Sequence, residues 1–126
     1  LLGVVEVGQV SSFVDLLISK NTKEAILSLN SMLDNGVDLP EFTKTLVFYL
    51  RQALLTKINP DFLNPHASGF SLEEIGKMKT QTTNLQDREI QKMLELFIDA
   101  ENKIKYSGLP QLPLELAIFD ITYREA

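Results

Sequence analysis

The sequence contains no cysteine and a single histidine. The first absence excludes disulfides and thiolate chemistry, and is compatible with a reducing cytoplasm. The second leaves a metal site only carboxylates to complete it. His66, in the proline-containing stretch NPHAS, reads instead as a solvent-exposed loop residue. No apolar run approaches the roughly 20 residues that a membrane span needs. The initial LLGVVEVGQV also lacks the basic segment and long apolar core of a targeting sequence. Phosphate-binding loops, paired glycines ahead of a helix, HExxH and the nucleophile elbow are missing as well, so the expectation is no catalytic residue, no metal and no cofactor. Positive charge is short too: 12 Lys and Arg stand against 17 Asp and Glu, a net charge of −5. That balance repels a phosphate backbone, and no local basic patch overrides it.

What is present is an ordinary globular composition, 44% hydrophobic and 23% charged over 126 residues. This suits one domain spanning residues 1–126 with a real core. The stretch Leu39–Ile58 organises the rest. Pro40 suits a first helical turn, and no further Gly or Pro follows within the stretch. Phe42, Leu46, Tyr49 and Ala53 share one face; Val47, Leu50, Leu54 and Ile58 widen it, and Phe48 and Leu55 lie beyond. So broad an arc needs neighbours on several sides.

Two helices precede it. Val10, Phe13, Val14 and Leu17 recur at helical spacing after Gly8, in a helix ending near Lys20. Asn21 and Thr22 supply the cap of a second helix with the stripe Ala25, Ile26, Leu29, Met32 and Leu33, and Gly36 stands where a helix-ending glycine is expected. NPDFLNPHASGF, residues 59–70, reads as the longest loop. Ser71 and Glu74 form a capping box for a short helix that the polar run TQTTN ends. Asn84 or Asp87 caps the next, which extends to about Tyr106, where Gly108 and Pro110 stop it. Pro113 opens a sixth. No alternating strand pattern survives, so the expected fold is all-α, a compact bundle of about six helices.

The capped helix, polar turn and following helix from Phe70 to Phe97 have the outline of a helix-turn-helix. The would-be reading helix begins Gln86, Asp87, Arg88, Glu89, Gln91, Lys92, so acids cancel bases where phosphates and base edges would be met.

Two charges fall within apolar stripes. Arg51 interrupts the central helix, its guanidinium either snorkelling to solvent or meeting a carboxylate. Glu101 lies between Leu94, Phe97 and Ile104, with Lys105 four residues on as its simplest partner and Arg51 as the alternative. The sixth helix has two opposite apolar faces. Leu114, Ala117, Ile118 and Ile121 make one; Leu112, Leu116, Phe119 and Tyr123 make the other, which either inserts into the same core or meets another chain.

In order and spacing, LLGVVE at 1–6, the Gly36-Val37-Asp38 step, YLRQALLTKINP at 49–60, DAENKIKYS at 99–107 and PQLPLELAI at 110–118 cover the chain nearly end to end. In these the chain resembles the third, collar-forming domain of the gamma/tau subunit of bacterial DNA polymerase III, the motor of the sliding-clamp loader. The resemblance implies a non-catalytic oligomerisation domain in DNA replication. In that family ATPase work belongs to two other domains, whose nucleotide loop, zinc-binding cysteines and sensor arginines do not occur here. It implies gamma/tau copies, delta and delta-prime as partners in the cytoplasm, with no direct nucleic-acid contact and no membrane. On it, Leu112, Glu115, Leu116, Phe119 and Tyr123 are expected at a subunit interface, and Arg51 is expected to pair with Glu101 or Glu115. A free-standing helical adaptor, a helix-turn-helix domain and an undetected enzyme are the competing classes.

Overall fold

The structure, a computed structural model, describes residues 5–62 and 69–123. Among them lie six α-helices and no strand: α1 (Val7–Ile18), α2 (Thr22–Asp34), α3 (Leu39–Ile58), α4 (Leu72–Thr83), α5 (Asp87–Ile104) and α6 (Gln111–Thr122). A single 3-10 turn, Pro60–Phe62, follows α3. The bundle is all-α, as the hydrophobic periodicity requires. His66 and the core of its loop lie outside the described residues.

The caps explain why the helices start where they do. The first-turn N–H groups of a helix have no partner within it, and here side chains supply one. Asn21 accepts from the Glu24 N–H at 3.2 Å, and Asp38 from Glu41 at 3.1 Å. Ser71 accepts from the Glu74 N–H at 3.1 Å while the Glu74 carboxylate accepts from the Ser71 N–H at 2.7 Å, the reciprocal box. Elsewhere the boundaries move. Gly8 lies inside α1, which starts at Val7. Gln86, rather than Asn84 or Asp87, precedes α5, and Glu89 reaches back to its N–H at 3.3 Å; Asn84 closes α4 instead. Helix α6 begins at Gln111, so Pro113 is its third residue, where the missing N–H costs nothing.

Both turns around α2 close in the same way. After α2, Gly36 at φ +81° lets its own N–H reach Leu33 O (3.1 Å) and the Val37 N–H reach Met32 O (3.0 Å). After α1, Lys20 N–H reaches Leu17 O and Asn21 N–H reaches Leu16 O, with Lys20 at φ +60°. A side chain in that left-handed region costs about 1 kcal/mol. A compensating contact is described below.

Helix α3 is the centre of the bundle, with α1, α4 and α5 against it and its longest contact along α5. Phe42, Leu46, Tyr49 and Leu50 are essentially inaccessible. The Phe13 ring of α1 stands edge-on to both Phe42 (5.3 Å) and Phe97 of α5 (6.2 Å). At the other end, Lys57 Nζ donates to Thr82 O just ahead of α5 (2.9 Å), so α3 and α5 run antiparallel. Helix α6 packs between α5 and α2.

Candidate interaction surface

Helix α6 divides as its pattern requires. Leu114, Ala117, Ile118 and Ile121 are buried, whereas Leu112, Leu116, Phe119 and Tyr123 are 42%, 58%, 47% and 54% exposed. Four large apolar side chains on one helix face, each about half in water, are more than a folded monomer normally leaves uncovered on a single element. The rings of Phe119 and Tyr123 stack on each other, centroids 4.5 Å apart at 20°, so the end of the stripe is a flat aromatic plate. Tyr106 and Leu109, in the turn before α6, are 90% and 56% exposed and lengthen the surface. Between that turn and α6 runs an open groove of about 530 Å³, bordered by Tyr106, Leu112, Pro113 and Leu116. The periodicity of α6 pointed to the stripe. It passed over Tyr106 and Leu109, which belong to no helical stripe.

Polar contacts hold α6 in this orientation. Lys20 Nζ donates to Ile121 O at 3.0 Å, placing a cation at the negative end of α6. This contact offsets the backbone strain at Lys20. Thr122 donates its hydroxyl to Ile118 O (2.7 Å), which leaves Thr22 as the donor in the 2.7 Å contact between the two threonines. Further along, Asn30 Nδ2 donates to Glu115 Oε2 at 3.3 Å. Helix α6 is thus pinned to α2 and cannot roll its outer face inward without breaking these bonds.

The two charged residues singled out in the sequence do not meet within the chain. Arg51 is exposed, Glu101 is half-buried, and among the described residues neither makes an ion pair, with each other or, for Glu101, with Lys105. The antiparallel packing explains it. Arg51 is nine residues beyond Phe42 in one direction and Glu101 four beyond Phe97 in the other, a separation along the helices of roughly 20 Å at 1.5 Å per residue. Glu115 is engaged by Asn30.

A buried polar cluster escaped the pattern of the sequence. The Tyr49 hydroxyl, on a residue 1% exposed, donates to Gln81 Oε1 and lies 3.3 Å from Ser11 Oγ. Gln81 Nε2 donates to Ser11 O (2.9 Å) and to Asp15 Oδ1 (2.8 Å), and Lys77 pairs with the other Asp15 oxygen at 3.1 Å. Burial raises the pKa of Tyr49, and the nearby Asp15 and Glu74 carboxylates add to the rise against the opposing Ser11 contact. The run TQTTN does end α4, at Thr83 with Asn84 as its cap, but it is not merely a polar terminus. Gln81 is inside α4, and its amide joins α1, α3 and α4. The available signal was its place three residues after Met78 and six after Ile75, on the buried stripe. The cluster is fully partnered and partly charged at its rim, so it acts as a structural tie.

Among the described residues no group of three or more His, Asp or Glu side chains is arranged to hold a metal, and no helix is long and apolar enough to cross a membrane. At the start of α5, Asp87 and Arg88 are both exposed, an acid beside a base where a DNA-reading helix would present donors to phosphate.

Compared with known families, residues 1–125 match the one described as DNA polymerase III subunits gamma and tau domain III. A comparison with curated proteins gave no match.

Proposed function

The chain belongs to the family of DNA polymerase III gamma and tau domain III, and on that premise we propose that it is a non-catalytic oligomerisation domain that assembles the clamp loader in DNA replication. Its partners are other clamp-loader subunits, namely gamma/tau copies, delta and delta-prime, and its place of action is the cytoplasm. It makes no direct contact with nucleic acid and needs no cofactor. The observation that carries this reading is the outer face of α6: Leu112, Leu116, Phe119 and Tyr123 form a continuous half-exposed apolar stripe, held outward by the bonds to α2. Burying such a stripe against a partner removes apolar surface from water, at about 25 cal/mol per Å². The aromatic plate at its end has the character of an interface anchor.

Phe119→Asp in the complete subunit tests the assignment. Because Phe119 is half in water, the variant keeps its fold at a cost of about 1 kcal/mol or less. Placed inside an apolar contact, the new carboxylate costs several kcal/mol and blocks assembly with the other subunits. Light scattering coupled to gel filtration reads the result. A variant that still enters the complete assembly at parental stoichiometry overturns the reading.

A further inference from the structure

We infer that Asn35 and Gly36 form a site of spontaneous deamidation that the fold holds shut: the closed turn between α2 and α3 keeps the two residues from reacting, and each opening of that turn exposes them to an irreversible change. Asparagine is followed by glycine at this one place in the chain. The pairing matters because the attacking atom is the backbone nitrogen of the next residue, and glycine puts no Cβ beside it.

The reaction needs only water. The Gly36 nitrogen forms a bond to Asn35 Cγ, its proton leaves with Nδ2 as ammonia, and a cyclic imide joins the two residues. Water then opens the imide at either carbonyl. Cleavage between Cγ and the nitrogen restores the normal backbone with an aspartate side chain. Cleavage on the other side leaves isoaspartate, whose main chain runs through Cβ and is longer by a methylene. No oxidant or reductant takes part.

Ring closure requires Asn35 Cβ to lie in the plane of the peptide that joins it to Gly36, on the side of the nitrogen. Asn35 has φ −89° and ψ 10°, which puts its own backbone nitrogen in that place and turns Cβ away. Three bonds keep it so. Asn35 N–H donates to Ser31 O (3.0 Å), Gly36 N–H to Leu33 O (3.1 Å) and Val37 N–H to Met32 O (3.0 Å), so the nucleophile is itself engaged. Asn35 Nδ2 also reaches back to Ser31 Oγ at 3.4 Å. Burial plays no part in this protection: both residues are exposed, and a Cβ at position 36 would meet nothing within 4 Å. The gate is therefore local, at a helix end, which opens far more often than the whole domain unfolds. Once formed, the product does not close the turn as before. Its new carboxylate stands at the negative end of α2, whose last turn has no basic residue, between the exposed Asp34 and Asp38. In isoaspartate the added methylene also breaks the spacing of the turn bonds.

The test incubates the whole chain in mildly alkaline buffer, folded and in guanidinium chloride, and follows position 35 by peptide mapping with mass detection and by enzymatic methylation of isoaspartate. The unfolded chain is expected to deamidate at this position ahead of its other asparagines, and the folded chain at least about tenfold more slowly. Val37→Ala trims a side chain packed against the core beside the turn and leaves both reacting residues in place. It should react several-fold faster than the parent when folded and at the parental rate when unfolded. The deamidated chain, once purified, should melt below the parent, and so should Asn35→Asp, which carries the charge without the added methylene. No reaction at position 35 in the unfolded chain overturns the site, and equal rates in the folded and unfolded chains overturn the gate. A Val37→Ala variant that reacts no faster than the parent when folded overturns the turn as that gate. A deamidated chain as stable as the parent overturns the claim that the turn is lost.

Discussion

Replacing Gln81 by leucine removes three close hydrogen bonds at once, one accepted from Tyr49 and two donated, to Ser11 O and Asp15 Oδ1, together with a long 3.5 Å contact to Ser11 Oγ. The three losses are unequal. Ser11 O sits within α1, where the helix gives a carbonyl its own bond, and Asp15 keeps its contact with Lys77 at 3.1 Å. The Tyr49 hydroxyl is the group put at risk, since it retains only Ser11 at 3.3 Å in a site 1% exposed. At about 1 kcal/mol for each of three net bonds, less about 1 kcal/mol recovered by burying leucine carbon, the expected destabilisation is about 2 kcal/mol. For a domain of this length that lowers Tm by about 6–12 °C. Tyr49→Phe alone strands Gln81 Oε1 and should cost a similar amount, whereas Tyr49→Phe with Gln81→Leu removes donor and acceptor together. The double variant should therefore lose less than the sum, with a coupling of about 1 kcal/mol or more in urea-unfolding free energies. Additive losses, or a Gln81→Leu variant as stable as the parent, would refute the claim that this amide ties α1, α3 and α4.

The same cluster predicts an alkaline limit. Burial raises the Tyr49 pKa above its usual 10.0, so the folded state holds the phenol proton more tightly than the unfolded state does. The stability this contributes is complete below pH 10 and is lost as pH rises from there through the folded-state value, so Tm should fall in that window by less in Tyr49→Phe than in the parent. A parallel fall in both would show that other groups cause it. At the α1–α2 turn, Lys20→Gly relieves the backbone at φ +60° but gives up the bond to Ile121 O, whereas Lys20→Ala keeps the strain and loses the bond. The glycine variant should be the more stable of the two by about 1 kcal/mol in chemical denaturation, and equal stability would remove the strain argument.

Local rules read from the chain established a good deal. The caps at Asn21 and Ser71 depend on residues three apart, and such contacts form wherever the helix forms. The αL turn at Gly36 and the two-faced pattern of α6 are likewise properties of short segments, and the family resemblance was carried by contiguous words of sequence. Helix periodicity alone separates Leu114, Ala117, Ile118 and Ile121 from Leu112, Leu116, Phe119 and Tyr123. It does not say which set is buried, or whether both are. That was decided by long-range contacts: Lys20 to Ile121, Thr22 to Thr122 and Asn30 to Glu115 fix the rotation of α6 on α2. The fate of Arg51 and Glu101 was decided in the same way. Each is an anomaly on its own helix, but whether they meet depends on the direction in which α3 and α5 pass, and antiparallel packing carries them apart. Gln81 shows the opposite case. The polar run at 80–84 ends α4 as it reads, but that Gln81 within it is a buried tie appears only when α1 and α3 bring Ser11, Asp15 and Tyr49 to its amide, because a hydrogen bond between residues 32 or 70 positions apart leaves no trace in local spacing.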